Sequence, residues 1–362
     1  MSYRVVHVAS GREWRGGQNQ VRLLARALAR RGDVEQLVIT GRSTELARRL
    51  EGEAVPLCTP AWSSSLDPRV LITTIRESRR GSRSSQTTIL HAHDAHALVL
   101  AGVAARFSTA RLVVTRRVDF HLRRPGFWAR ADKVIAISGA IRSILLEDGI
   151  SADRITVVHS GIDAAEVRAA SRFNIRQQLN LPSDATVAVN VAALVGHKDQ
   201  AILVGAALAQ RERRPGLHWV VAGEGPLRGA LEKQIRDASL TDRVHLLGSV
   251  PNAWGLIAES DVFVMSSREE GLGTSVLDAL ALGVPVAATR AGGIPEILGD
   301  GAGILVPVGD SSALAAAVDS LLTDSQRREM VRAAGTRALA GFSADAMADG
   351  IVAVYRSLTS NG

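Results

Sequence analysis

Short apolar runs alternate with amphipathic stretches along almost the whole chain. Runs of four to six mostly apolar residues predict twelve buried strands, at 4–9, 36–40, 88–92, 112–115, 133–137, 155–158, 186–191, 218–222, 244–247, 261–265, 284–288 and 303–306. Between the strands the apolar positions recur with helical spacing. Val21, Leu24, Ala25 and Leu28 follow the i, i+3, i+4, i+7 pattern, and this first helix is expected to end at Gly32.

Strands that are joined through helices are parallel and covered on both faces. A polar, proline-containing stretch at 179–185 separates two such series, and 362 residues are too many for one ordinary core. We therefore predict an α/β fold with two doubly wound, Rossmann-like domains that face a central cleft. Ligands of such sheets bind outside the carboxyl ends of the strands.

The composition fits a globular protein, with 46% hydrophobic and 22% charged residues. The net charge of +7 favours an anionic partner such as a phosphorylated substrate or a membrane, although a solvated arginine-rich surface explains it equally well. Only 4% of residues are aromatic, so nucleic acid is not expected as a partner. The single cysteine, Cys58, excludes an intramolecular disulfide and fits a reducing cytoplasm. Arg4 interrupts any signal peptide, and no apolar run reaches the ~18 residues of a membrane span.

Residues 266–298 carry the clearest chemical pattern. Glu270 lies in a glycine-rich loop, Asp278 on the helix that follows it, and Glu296 after a second glycine-rich turn. Loops between strand ends and helix starts offer backbone N–H groups to phosphate, and neighbouring acids suit sugar and ribose hydroxyls. The segment is therefore predicted to hold a sugar that is attached to a nucleotide diphosphate.

The motifs together resemble the GT-B glycosyltransferases, specifically the retaining enzymes of family four that use nucleotide sugars. The resemblance runs along nearly the whole chain, through residues 15–17, 158–163, 223–227, 247–250, 270–273 and 292–296. Residues 92–96 and 115–120 resemble bacterial members that build lipopolysaccharide or other cell-surface glycans.

The resemblance implies roles for particular residues on the donor side. Lys198 would contact the donor phosphates, Glu270 the hydroxyls of the transferred sugar, and Asp278 the ribose. Further donor contacts are expected from Gly16, Gly17, His197, Gly248, Val250, Gly271, Leu272, Gly273 and Thr274. Without the resemblance, Lys198 is an ordinary loop lysine and Asp278 an acid that the helix dipole favours.

Two positions depart from the family pattern. The Gly-Arg pair that usually precedes the lysine is replaced by Ala192 and Ala193, and Asp278 stands where the family has glutamate. Arg290, an arginine of the first domain or His197 would then have to supply the second phosphate contact.

Candidate acceptor-side residues follow two strands of the first domain. They are His93, His96, Arg116, Arg117 and Asp119. With His91 and Asp94, the two histidines also form the richest potential metal cluster, but no remote cysteine completes it and no Asp-x-Asp triplet occurs. We expect neither a metal nor any cofactor beyond the nucleotide sugar.

The resemblance also implies the domain roles and the activity. Residues 1–165 would form the acceptor-side domain, with the helix at 344–362 packed back on it, and 166–343 the donor-binding domain. The predicted enzyme is a cytoplasmic retaining glycosyltransferase, on the inner membrane face, that acts on an anionic glycan or lipid-linked acceptor of the cell envelope. The alternatives are a sugar-nucleotide epimerase or phosphorylase, or a non-catalytic subunit that binds a sugar nucleotide.

Overall fold

The chain forms two compact units, each built around one parallel sheet. In the computed structural model, which describes residues 3–64, 66–83 and 86–359, unit 1 is Met1–Gly161 with Ser343–Gly362, and unit 2 is Ile162–Phe342. The prediction of an α/β protein with two Rossmann-like domains is confirmed. The division falls after Gly161 rather than after residue 165.

The strands pair in two doubly wound orders. Unit 1 has the order β3-β2-β1-β4-β5-β6-β7 and unit 2 the order β10-β9-β8-β11-β12-β13. Their bounds are β1 Tyr3–Ala9, β2 Glu35–Thr40, β3 Leu57–Cys58, β4 Thr87–Ala92, β5 Arg111–Arg116, β6 Lys133–Ala136, β7 Ile155–Val157, β8 Thr186–Val191, β9 Leu217–Ala222, β10 Val244–Gly248, β11 Val262–Met265, β12 Val286–Thr289 and β13 Ile304–Val306.

Helices cover the sheets between successive strands. Their bounds are α1 Gly16–Arg31, α2 Glu45–Leu50, α3 Pro68–Arg83, α4 Ala95–Ala105, α5 Gly139–Glu147, α6 Ala164–Arg168, α7 Ile175–Gln178, α8 Ala201–Gln210, α9 Arg228–Asp237, α10 Ala253–Ala258, α11 Thr274–Ala281, α12 Ile294–Leu298, α13 Ser311–Thr323, α14 Ser325–Ala338 and α15 Ala344–Thr359. Short 3-10 turns lie at Ala152–Arg154, Gly196–Lys198 and Leu339–Phe342.

All twelve predicted strands form, and each bound lies within two residues of its prediction. The strand predicted from residue 284 begins instead at Val286, because Pro285 has no N–H to offer the ladder. The Pro285 carbonyl still accepts a hydrogen bond from Phe263 N at 2.9 Å. Strand β3, which is only two residues long, was not predicted from the sequence.

The C-terminal helix α15 completes the core of unit 1. Its buried residues Ile351 and Tyr355 pack with Tyr3 of β1 and with Leu24 and Leu28 of α1. The rings of Tyr3 and Tyr355 meet edge to face, with centroids 5.9 Å apart. Unit 1 therefore draws part of its core from the last helix of the chain.

Candidate active site

Lys198 and Glu270 meet at the carboxyl ends of two neighbouring strands of unit 2. Lys198 ends the 3-10 turn that follows β8, and Glu270 lies in the loop after β11. Lys198 Nζ lies 2.5 Å from Glu270 Oε2, and both side chains are largely buried, with 17% and 12% of their surfaces exposed. Ser267 Oγ also donates to Glu270 Oε2, at 3.2 Å. The two residues that were singled out from the sequence thus form one ion pair.

A second ion pair braces the lysine turn. Arg268 Nε donates to Asp199 Oδ2 at 2.6 Å, and Arg268 N donates to the carbonyl of His197 at 2.8 Å. Asp199 adopts a left-handed conformation with φ of 45°. These contacts tie the loop that carries Lys198 directly to the loop that carries Glu270.

Gly292 holds the Glu270 loop by close backbone approach. A Cβ atom at this position would lie 1.7 Å from the Glu270 carbonyl oxygen, and φ is +48°, which favours glycine. The same carbonyl accepts a hydrogen bond from Gly293 N at 3.1 Å. The loop then enters α11 at Gly273, which provides no side-chain cap. The loop therefore includes Gly271 and Leu272, and Thr274 is the first residue of the helix.

Asp278 lies on α11, one helical turn after Thr274 and thus on the same face. It is half-buried, and this burial raises the pKa of its carboxyl group to about 7. A hydrogen bond with the Trp254 side chain acts in the opposite direction and lowers the pKa by less. Glu296 lies in the first turn of α12.

The backbones at the ends of β8, β9 and β10 converge on two glycines. A Cβ on Gly223 would lie 1.9 Å from the Ala192 carbonyl oxygen, and Gly223 N donates to the Gly248 carbonyl at 2.8 Å. Gly248 has φ of +74°. Val250 follows two residues later and is half-buried.

Arg290, which was considered as the second cation, is exposed to solvent. It lines a space of about 400 Å³ with Leu298, Arg327 and Met330. Ala193 stands where the family usually has an arginine, and its carbonyl accepts a hydrogen bond from Gln200 Nε2 at 2.9 Å.

Unit 1 carries a buried histidine network at the carboxyl ends of β1 and β4. His7, His91 and His93 are 0%, 0% and 5% exposed, and each offers a nitrogen within 4.8 Å of the others. His7 Nδ1 lies 2.9 Å from His93 Nε2. His91 contacts the Tyr355 hydroxyl at 2.6 Å and Thr115 Oγ1 at 2.7 Å. Burial lowers the pKa of His7 to about 3 and the pKa values of His91 and His93 well below their usual range, so all three rings are neutral at pH 7.

The contacts also assign the protons of two of the rings. Arg117 Nη2 lies 3.4 Å from His93 Nδ1, and a guanidinium only donates, so His93 Nδ1 accepts. His93 Nε2 therefore carries the proton and donates to His7 Nδ1. A metal ion here would replace that bond and stand beside the Arg117 cation. Hydrogen bonding thus fits these atoms better than a metal does.

This network differs from the cluster considered in the sequence. His91 and His93 do come together, with ring centroids 4.1 Å apart, but the third member is His7. Asp94 instead caps α4, accepting from Ala97 N at 2.8 Å, and binds Ser10. The signal for His7 was present in the sequence as a polar residue within an apolar strand, and the β1–β4 register pairs it with His91.

Arg117 lies beside the network and beside the start of α1. Its Nη1 donates to the His93 carbonyl at 2.9 Å, and burial lowers its pKa to about 10 while Asp94 and Tyr355 raise it. A Cβ on Gly17 would lie 3.8 Å from Arg117 Cδ. The helix start at Gly16 and Gly17 has no side-chain cap, so its positive end and the guanidinium lie close together.

The remaining acceptor-side candidates are more widely spread within unit 1. Arg116 is buried, donates to the Phe120 carbonyl and stacks 5.1 Å from the Trp128 ring centroid. Burial lowers the pKa of Arg116, and the negative charge of Asp119 raises it by a smaller amount. His96 lines a cavity of about 410 Å³ together with Ser10. The structure thus brings Arg117 and His93 together and leaves Arg116 and His96 in separate surroundings.

Among the described residues, none of the helices combines the length and the apolar character needed to span a bilayer.

Comparison with known proteins identifies the family. Residues 171–338 match the family model described as Glycosyl transferases group 1, and residues 14–166 match Glycosyltransferase Family 4. The chain is 32% identical to the lipopolysaccharide core biosynthesis glycosyltransferase LpsE of Rhizobium meliloti (strain 1021) over 184 residues, or 50% of this chain and 53% of LpsE. It is 29% identical to LpsD of the same organism over 256 residues, or 70% of this chain and 72% of LpsD.

The aligned part therefore spans about half the length of LpsE. Among solved structures, Anabaena Alr3699/HepE in complex with UDP superposes with a TM-score of 0.82 at 22% identity, covering 98% of this chain and 100% of that chain. This likeness concerns the fold, which is that of the GT-B glycosyltransferases. The two family models extend from residue 14 to residue 338 with a break only at 167–170, and the chain belongs to the glycosyltransferases of group 1 and family 4.

Proposed function

We propose that the protein transfers a sugar from a nucleotide diphosphate to a glycan or lipid-linked acceptor, with retention of the anomeric configuration. The observation that carries this proposal is the Lys198–Glu270 pair at the carboxyl edge of the unit 2 sheet, where parallel sheets bind ligands. The complex of HepE with UDP, a fold neighbour, supports a nucleotide sugar as donor. No obligatory metal or other cofactor is proposed.

The ion pair suits a reaction in which charge separates. As the bond between the anomeric carbon and the diphosphate breaks, negative charge grows on the departing phosphate, and a nearby ammonium group stabilises it. Donor phosphates would take the place of Glu270 as the partner of Lys198. Glu270 is then available to accept hydrogen bonds from hydroxyls of the transferred sugar. Attack on the same face, assisted by the leaving phosphate, requires no protein nucleophile, and we assign none.

The surrounding backbone and Asp278 would bind the rest of the donor. N–H groups at Gly271, Leu272, Gly273 and Thr274 would approach the sugar and the diphosphate, because the loop runs directly into the uncapped end of α11. Asp278 would accept the ribose hydroxyls. The base would be read by backbone near Gly248 and Val250. His197 would donate a hydrogen bond to the donor phosphates, and the backbone at Gly16 and Gly17 would approach the diphosphate.

For the acceptor we propose an anionic, envelope-associated molecule. Arg117 and His93 support this, since a largely buried guanidinium lies beside the uncapped start of α1. His96, Arg116 and Asp119 are further candidates. The relatives LpsE and LpsD, which are named for lipopolysaccharide core synthesis, favour such an acceptor. We further propose a cytoplasmic location with peripheral contact to anionic lipid.

The proposal is tested by a thermal-shift panel with UDP-, GDP-, ADP- and dTDP-sugars. A donor at 100 times its dissociation constant adds about 2.7 kcal/mol of stability. We expect one donor to raise the melting temperature by several degrees in the wild type and much less in Glu270→Ala. The neighbouring exposed Glu269→Ala is the matched control and should behave as the wild type.

A flat response of folded wild-type protein to all four donors at millimolar concentration contradicts the proposal. Conversion of the donor alone, without an acceptor, indicates an epimerase instead. Tight donor binding without transfer to any acceptor favours the non-catalytic subunit, for which the missing cation at Ala193 is the specific observation.

A further inference from the structure

A charged cavity lies at the end of the unit 2 sheet that is opposite to Lys198 and Glu270. It has a volume of about 560 Å³ and includes Thr186 and Leu217, which are the first residues of β8 and β9. Asp261, directly before β11, also lines it. The cavity is therefore at the amino ends of the strands, whereas Lys198 and Glu270 follow the carboxyl ends. It is separate from the proposed donor site.

Arginines dominate this cavity, which we call the arginine pocket. Arg213 and Arg214 come from the connection between α8 and β9, and Arg328 and Arg332 come from α14. Asp261 is the one carboxylate among the described lining residues, and it already accepts from Arg176 Nη2 at 2.9 Å and from Val187 N at 2.8 Å. The lining therefore carries a clear excess of positive charge.

Three of these arginines are held in place by other contacts. Arg214 Nε donates to Asp319 at 2.6 Å and Arg332 Nη1 to Glu329 at 3.0 Å. Arg328 Nη1 donates to the carbonyls of Leu321 and Leu322, at 3.1 and 3.2 Å. Arg213 Nη2 has a long contact of 3.4 Å with the Ala209 carbonyl.

Within the described residues these contacts use one nitrogen of each guanidinium. A guanidinium has five N–H groups on three nitrogens, so most of the donors remain for a ligand. Anchoring three of the four side chains also reduces the entropy that ligand binding would cost.

We propose that the arginine pocket binds a phosphorylated small molecule. Guanidinium forks match the geometry of phosphate oxygens, and several of them on one cavity are typical of phosphate recognition. The volume lies within the range of small-molecule sites, ~300–1,000 Å³, and exceeds what a single phosphate needs. The ligand therefore has one or more phosphate groups and a body about the size of a sugar. It is either a soluble sugar phosphate or the phosphate-bearing headgroup of a lipid.

The test uses the exposed pair Arg213 and Arg332, because neither contributes to the core. Calorimetric titration with inorganic pyrophosphate would compare the wild type, the double variant R213Q/R332Q and the control Arg211→Gln, an exposed arginine just outside the pocket. We expect the double variant to bind about a hundredfold more weakly, since each of the two lost charge-assisted bonds accounts for about a factor of ten. The control should bind as the wild type, and R213K/R332K should recover part of the affinity.

Lys198→Ala separates this pocket from the donor site, because pyrophosphate is also able to bind there. Retained binding in Lys198→Ala with loss in R213Q/R332Q supports the proposal, whatever the activity of the enzyme. Unchanged binding in a folded R213Q/R332Q protein, or loss in Lys198→Ala alone, overturns it.

The source of the phosphate is then decided with phosphatidylcholine vesicles that contain phosphatidic acid. Sedimentation with these vesicles that is lost in R213Q/R332Q and displaced by pyrophosphate identifies a lipid headgroup. Absence of sedimentation by a protein that binds pyrophosphate through the arginine pocket identifies a soluble ligand.

Discussion

Replacing Asp278 by asparagine should stabilise unit 2 at neutral and alkaline pH. The half-buried carboxyl has a pKa of about 7 in the folded protein, against an ordinary value of 3.8, because burial disfavours its charged form. The folded protein thus binds the proton more tightly than the unfolded chain does. The stability from this group is fully present below pH 4 and is lost as the pH rises through 7.

The magnitude follows from the two pKa values. Each pKa unit corresponds to about 1.4 kcal/mol, so the whole change from 3.8 to about 7 corresponds to about 4 kcal/mol. Water reaches part of the side chain, so we expect about half of this, roughly 2 kcal/mol, as the gain of Asp278→Asn at pH 8. Asparagine keeps the size of the side chain and an oxygen for the Trp254 hydrogen bond.

The assay is urea denaturation of the wild type and of Asp278→Asn from pH 5 to pH 9. The difference in the free energy of unfolding should be about 40% of its full value at pH 5 and should grow until it levels off just above pH 7. Asp300→Asn, at an exposed carboxyl of the same unit, should show no such growth. A constant difference between Asp278→Asn and the wild type over this range would refute the reasoning, since it would mean that Asp278 ionises in the folded protein as it does in the unfolded chain.

Two further predictions concern packing. Gly292→Ala should destabilise unit 2 by about 3 kcal/mol or more and abolish the donor-induced thermal shift, because its Cβ would displace the Glu270 carbonyl. The control Gly309→Ala, also at positive φ but with open space around it, should destabilise by only about 1 kcal/mol. Equal losses of stability for the two variants in urea denaturation would contradict this account. Tyr355→Phe should destabilise unit 1 by about 1–3 kcal/mol, because it leaves His91 Nδ1 buried without its hydrogen-bond partner. An unchanged midpoint in urea denaturation would show that this hydrogen bond does not contribute to stability.

The sheets were predictable from the sequence because strands buried on both faces appear as continuous apolar runs. The pairing of Lys198 with Glu270 follows from the same logic. Both residues lie in the connections that follow strands, and β8 and β11 are neighbours in this doubly wound sheet. The glycine-rich loop singled out Glu270 and the family resemblance singled out Lys198, and the order of the strands brought the two together.

The histidine network was not predictable from local sequence alone. His7 is 84 residues before His91 in the chain, and their contact depends on the order and the register of β1 and β4. Arg4 is a similar case. A charged residue in a strand suggests an exposed edge, yet Arg4 is buried and pairs with Glu35 and Glu77. Such partners are distant in sequence and appear only when the fold is known.

The return of α15 to unit 1 has a consequence for how the protein is made. At ~5–20 residues per second, the ribosome needs roughly 10–35 seconds to synthesise the segment Ile162–Phe342 after Gly161 has been added. Throughout this time the apolar surface that α15 will cover, including Leu24 and Leu28, has no lasting partner. Unit 2 is complete in sequence before unit 1 is. A nascent chain that stalls near its end would therefore carry a finished second unit and an unfinished, aggregation-prone first one.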